Sequence, residues 1–193
     1  MNPKILLFLF LSLILVSFGS QAQNHFYSFQ THFGQFYRAD MDSTSMEAML
    51  DRVQAAGFKM IRDECYWSEV EKVKGVFQFP REIDRYIQSA KRRGIDVLLI
   101  LNYNNPLYAP HAGSAVTSDS NRAAFARYCQ EVVKRYLPLG VTHYEIWNEP
   151  NIPIFWDPTP NPADYAKLLQ VAYPAIKAVD PKVTVIGCAT SPA

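Results

Sequence analysis

The sequence predicts an α/β fold, a parallel sheet with helices packed over it, and three observations carry the prediction. Amphipathic stretches of helical period alternate with short apolar runs along the chain. Those runs are almost continuously hydrophobic, as in residues 95–101 (IDVLLIL), which is the pattern of strands covered on both faces. Gly or Pro punctuates the junctions between them.

Residues 27–34 (YSFQTHFG) form the opening strand. Residues 43–56 read as a helix with Met46, Met49, Leu50 and Val53 on one face, Gly57 ends it, and residues 58–62 (FKMIR) make the second strand. Pro80 opens the next helix, which places Ile83, Tyr86, Ile87 and Ala90 at helical spacing; Gly94 stops it, and residues 95–101 are the third strand. Ser118 or Ser120 caps a helix running to Arg135 or Tyr136, and Gly140 precedes a fourth strand at residues 141–147. Asn161 and Pro162 begin a last helix through Ala178, and Asp180-Pro181 leads into a fifth strand at 183–187. Pro is tolerated in the first turn of a helix and Gly relieves the left-handed residue at its end.

Five strands and four helices fit either an open doubly wound sheet or a (β/α)8 barrel. A dinucleotide-binding open sheet needs a Gly-rich turn after an early strand, and Gly34-Gln35-Phe36 is not one. Polar and aromatic residues instead gather at strand ends: His32, Arg62, Asn102-Tyr103 and Asn148-Glu149. A barrel keeps its chemistry there, so the expectation is an incomplete (β/α)8 TIM barrel. Eight strands usually need about 250 residues; residues 23–193 are expected to be the N-terminal portion of a longer protein.

Lys4 followed by the apolar residues 5–18 and by Gly19-Ser20-Gln21-Ala22 reads as a signal peptide, residues 1–22, cleaved after Ala22. The stretch is short for a membrane span of about 20 residues. Export is therefore expected, to the periplasm or beyond, with no stable membrane association after cleavage. The 19 basic and 18 acidic residues include one Lys and no acid within that segment, so the mature chain is balanced and gives no reason to invoke nucleic acid or an anionic membrane. Lys91-Arg92-Arg93 reads as a solvated helix end. Cys65, Cys129 and Cys188 lack metal-ligand spacing; they read as small buried hydrophobes, with one long-range disulfide left open.

Glu149 stands at the mouth end of an apolar, aromatic strand. Burial and a second carboxylate nearby both favour the protonated acid, the form that donates a proton to a departing glycosidic oxygen. Asn148 can offer its amide to a sugar hydroxyl, and Pro150 restricts the backbone beyond. The run Tyr144-Glu145-Ile146-Trp147-Asn148-Glu149-Pro150-Asn151 closely resembles the acid/base motif of the clan A glycoside hydrolases, which include the cellulase-type family 5 and the β-xylosidase-type family 39. Ile61-Arg62-Asp63, Trp67 and residues 70–75 (VEKVKG) resemble their second strand and its loop. Residues 98–108 (LLILNYNNPLY) resemble the third in family 39-like members. Asn102-Tyr103 stands where many family 5 cellulases carry His, which tilts the resemblance towards family 39.

The resemblance implies a retaining O-glycosyl hydrolase acting on β-linked polysaccharide or oligosaccharide. Glu149 is the general acid/base, Asn148 the partner of the sugar 2-hydroxyl, and Arg62 the cation that keeps the nucleophilic carboxylate ionised. That nucleophile, a Glu ending the seventh strand in the family, is expected beyond this portion, which alone is expected to be inactive. Glu145 is read as a buried acid paired with an interior cation, roughly 13 Å deeper than Glu149 along an extended strand. Trp67, Tyr103 and Trp156 are candidates to stack on sugar faces, with His32 and Asn102 lining the substrate site; His111 and His143 are read as structural. No metal or organic cofactor is called for, since two carboxylates supply the chemistry. A carbohydrate-binding barrel without activity is the second reading. An aldolase-like barrel is the third, and it would want a strand-end Lys that none of the five strands has.

Overall fold

The computed structural model describes residues 28–35 and 42–192. The expected signal segment and its cleavage after Ala22 lie outside the described residues, as does Tyr27. The elements are β1 (Ser28–Gln30), α1 (Ser43–Ala55), β2 (Met60–Tyr66), the short α2 (Trp67–Val70), α3 (Arg81–Arg92), β3 (Asp96–Asn102), α4 (Asp119–Tyr136), β4 (His143–Ile146), α5 (Pro162–Lys177) and β5 (Thr184–Ile186). A 3-10 turn, Leu137–Leu139, follows α4. The caps are local chemistry: Asp42, Ser118 and Asn161 each accept backbone N–H groups of the first turn of α1, α4 and α5.

All four strand pairings are parallel and the order is β1-β2-β3-β4-β5. A doubly wound sheet reverses direction at a switch point; this sheet never reverses. Strands laid down in sequence order are the arc of a (β/α)8 barrel. Strand parity then sorts the side chains. Ile61 and Cys65 of β2, Val97, Leu99 and Leu101 of β3, and Tyr144 and Ile146 of β4 belong to the core beneath the helices. Arg62, Glu64 and Tyr66 take the other face.

Two strands differ from expectation. β1 is short because the buried Asp63 carboxylate accepts from Phe33 N at 2.7 Å and Gly34 N at 2.9 Å, turning the chain after Thr31. β2 runs on through Asp63 and Glu64, which look like a loop by composition, because pairing with β3 continues to Tyr66. The cysteines are all free; Cys65 and Cys129 are buried as expected, whereas Cys188 is exposed. Among the described residues no helix is long and apolar enough to cross a membrane.

Behind the strand ends, one carboxylate holds the β2 and β3 loops together. Glu71 is buried and accepts from Trp67 Nε1, Gly75 N and Tyr108 Oη, each at 2.6 Å, while Asn105 Nδ2 donates to its backbone carbonyl at 2.7 Å. Removing the acceptor strands three donors at about 1–3 kcal/mol for each one left buried. Glu71→Ala is expected to destabilise the protein by about 3 kcal/mol or more in urea denaturation, with Glu71→Gln intermediate. A loss below about 1 kcal/mol would show that the loops hold without it.

Candidate active site

At the C-terminal ends of the strands lies a cleft of about 850 Å³. Its lining includes His32, Gln35, Arg62, Glu64, Tyr66, Tyr103, Asn148, Glu149, Ile154 and Phe155. The backbone that delivers Asn148 and Glu149 is unusual. Trp147 has φ 67° and Glu149 has φ 51°, left-handed values that cost a non-glycine residue roughly 1–2 kcal/mol. Packing holds them. The Trp147 indole is buried against Trp156, Tyr103 and Phe125, and its Nε1 donates to Phe155 O at 2.9 Å. Glu149 N donates to Ala189 O at 2.8 Å, fixing the chain beyond β5 to the turn. Such strain concentrates where a structure must aim a side chain.

Asn148 is oriented from both ends. Its Oδ1 accepts from Arg62 Nη2 at 2.8 Å and its Nδ2 donates to Tyr103 Oη at 3.0 Å. Arg62 also forms a two-pronged pair with Glu145, Nε to Oε2 at 2.8 Å and Nη2 to Oε1. Burial works against the Arg62 charge, and Glu145 more than offsets it, so the guanidinium pKa rises. Glu145 therefore has the interior cation expected for it. The chain leaves the extended form at Trp147, so extended-strand spacing does not apply across the turn to Glu149, and one nitrogen of Arg62 touches both Glu145 and Asn148.

His32, Arg62, Tyr103, Asn148 and Glu149 thus come together in one cleft. Three expected substrate residues do not. Trp67 is fully buried between the rings of Tyr108 and Tyr128, at 4.9 and 5.6 Å. Trp156 is fully buried edge-on to Trp147 and Tyr165. Asn102 is fully buried and does not line the cleft. Their immediate neighbours face it instead. Tyr66 does so because it shares the inward parity of Arg62 and Glu64, and Phe155 does so stacked on Tyr103 at 5.0 Å and 3°. Beside Phe155, Ile154 is 72% exposed at the mouth.

Glu64 escaped the sequence reading altogether, although the alternation Arg62, Glu64, Tyr66 on one strand was the signal for it. Its carboxylate contacts His32 Nδ1 at 3.0 and 3.2 Å. The preceding Asp63 accepts from Thr31 Oγ1, Phe33 N, Gly34 N and Glu64 N, and fixes the segment that carries His32. Gly34 is required there, since a Cβ would stand 2.1 Å from the Glu64 carbonyl oxygen. Burial, with the Asp63 charge adding to it, pushes the Glu64 carboxyl up to about 8. Burial also pushes Asp63 up, against four donors that pull it down. Among the described residues no three His, Cys, Asp or Glu side chains gather into a metal-ligating group.

A folded-state pKa above the unfolded value means that the folded protein binds the proton more tightly. The stabilisation is then complete below about pH 4.5 and is lost as pH rises to about 8. Glu64→Gln removes this dependence. The variant is expected to gain on wild type by a few kcal/mol between pH 4.5 and 8, at about 1.4 kcal/mol per tenfold change in proton affinity. Parallel stability–pH curves for the two proteins would contradict the raised Glu64 pKa.

Comparisons with known proteins agree with this geometry. A family model described as Cellulase (glycosyl hydrolase family 5) matches residues 19–190. A family 39 glycoside hydrolase from the gut symbiont Bacteroides cellulosilyticus WH2 is 30% identical, with a TM-score of 0.64 over 75% of this chain and 29% of that one. A family 39 β-xylosidase from Caulobacter crescentus is 22% identical, with a TM-score of 0.68 over 84% of this chain and 40% of that one. An endoglucanase from the hyperthermophilic Thermotoga maritima is 21% identical, with a TM-score of 0.53 over 73% and 43%. The last two show likeness of fold alone. The chain spans well under half the length of each of these structures. No curated protein matches it.

Proposed function

Since this chain belongs to glycosyl hydrolase family 5, the cellulase family, we propose that the full-length protein is a retaining O-glycosyl hydrolase acting on β-linked polysaccharide or oligosaccharide. The observation that carries the proposal is the paired left-handed turn after β4. It presents Glu149 to a cleft in which Asn148 is already held by Arg62 and Tyr103. Glu149 protonates the glycosidic oxygen while a carboxylate from the later part of the barrel attacks the anomeric carbon. The glycosyl–enzyme ester is then opened by water, from which Glu149 takes the proton. Asn148 donates to the sugar 2-hydroxyl, and Arg62 keeps positive charge beside the reacting centre. The apolar segment at residues 5–18 supports export to the compartment where such polysaccharides are met.

The test is stereochemical. Proton NMR of the full-length protein cleaving an aryl β-glycoside is expected to show the β-anomer of the sugar first, with the α-anomer rising only by mutarotation. An α-anomer formed first would mean a single inverting displacement. Tight sugar binding with no turnover on any β-glycoside would favour a non-catalytic barrel.

A further inference from the structure

The proposed cleavage needs Glu149, Asn148, Arg62 and a carboxylate from elsewhere in the barrel, and it leaves one polar pair in the cleft unused. His32 and Glu64 both line the cleft, and neither is placed by accident. Glu64 is 7% exposed, with its carboxyl against His32 Nδ1. His32 is pinned on either side in sequence, because Thr31 Oγ1, Phe33 N and Gly34 N all donate to Asp63. Gln35 Nε2 lies 3.0 Å from the same Nδ1 and 3.1 Å from Tyr66 Oη. The Gln35 amide N–H and the protonated Glu64 carboxyl share the one lone pair of Nδ1, which puts the imidazole proton on Nε2. Two groups of the pair face the cleft: the second Glu64 oxygen, which lies 3.2 Å from Nδ1 and keeps a lone pair to accept with, and Nε2–H, which donates and has no partner among the described residues.

We infer that His32 and Glu64 form a clamp for two adjacent hydroxyl groups of the sugar bound in the cleft, with Glu64 accepting from one and His32 Nε2–H donating to the other. The clamp selects sugars whose vicinal diol is free at that position. This inference rests on the glycosidase reading. Adjacent hydroxyls supply one donor and one acceptor side by side, the complement of what the pair leaves unused. A methyl ether there removes the donor and a deoxy position removes both. A carboxylate offers only acceptors, which suits His32 and leaves the Glu64 acceptor facing lone pairs. Burial pushes the Glu64 carboxyl up to about 8, which favours its neutral form, and the glutamine amide is the closest substitute for that form in shape and charge.

The experiment uses the full-length protein and the aryl β-glycoside it cleaves best, together with that glycoside's monodeoxy analogues at each ring hydroxyl. Values of kcat/KM are compared for wild type, Glu64→Ala, Glu64→Gln and His32→Ala. Glu64→Ala is expected to lose about ten- to a hundredfold on the parent sugar, the worth of one or two hydrogen bonds with a buried group. On the one deoxy analogue that lacks the bound hydroxyl it should lose little more. His32→Ala should show the same pattern one carbon along the ring, and Glu64→Gln should recover most of the loss, which also shows that the fold is intact. An equal loss on every analogue would reduce the pair to scaffolding, and no loss on the parent would place it off the substrate. If wild type cleaves no glycoside, the glycosidase reading falls and the clamp with it. If wild type cleaves and Glu149→Ala does not, while Glu64→Ala loses uniformly, the clamp alone falls.

Discussion

Glu149→Ala in the full-length protein is expected to lower kcat on β-linked oligosaccharides by about 10²- to 10⁴-fold, the usual contribution of a positioned general acid. The loss should depend on the leaving group. An alkoxide leaving from a natural glycoside must be protonated as the bond breaks, and the variant has no proton to give. A dinitrophenolate leaves without one, so formation of the glycosyl–enzyme ester should be spared for such a substrate. Turnover should then stall at the second step, which lacks a base to activate water. The readout is a pre-steady-state burst of nitrophenolate followed by a slow steady rate. Azide, a nucleophile that needs no base, should raise that slow rate and yield a glycosyl azide. Equal loss of the first step on both kinds of substrate would take the acid/base role away from Glu149, and so would a steady state unaffected by azide.

Much of this site could be read from the sequence, and the errors share a cause. Helices and strands are legible to within a few residues because period and Gly/Pro punctuation are local properties. Strand parity is equally local and marks Arg62, Glu64 and Tyr66 as one face of β2. Trp67 opens α2 just past the inward-facing Tyr66, and its indole packs between Tyr108 and Tyr128. In the loop after β4, Phe155 stacks on Tyr103 while Trp156 packs against Trp147. Large indoles bring more buried area than any other side chain, so as candidates for sugar platforms they compete directly with the core. The left-handed turn at Trp147 and Glu149 had no local signal. Neither residue type favours it, and it exists because tertiary packing of the indole outweighs a local preference.

Arg62 carries the second large effect. Glu145 has a side chain only 3% exposed, and Arg62 is its ion-pair partner. Breaking a buried pair by removing one member leaves an uncompensated charge, at a cost of about 3–5 kcal/mol. That is a large share of the 5–15 kcal/mol by which a folded protein is usually stable. Arg62→Ala is therefore expected to shift the urea midpoint strongly downward. Glu145→Ala should cost less, because Arg62 is 21% exposed at the cleft and keeps Gln30 and Asn148 as acceptors. Joint replacement by apolar residues of similar size, Arg62→Met with Glu145→Leu, removes both desolvation costs and should restore most of the stability. It should not restore activity. Asn148 Oδ1 then has no donor beneath it, and a displacement of about 1 Å at a reacting group can cost about 10²-fold. A stable, correctly folded double variant with near-native kcat/KM would show that Arg62 serves the fold alone; one that is stable and impaired separates the ion pair, which holds the barrel interior, from the Arg62–Asn148 contact, which aims the site.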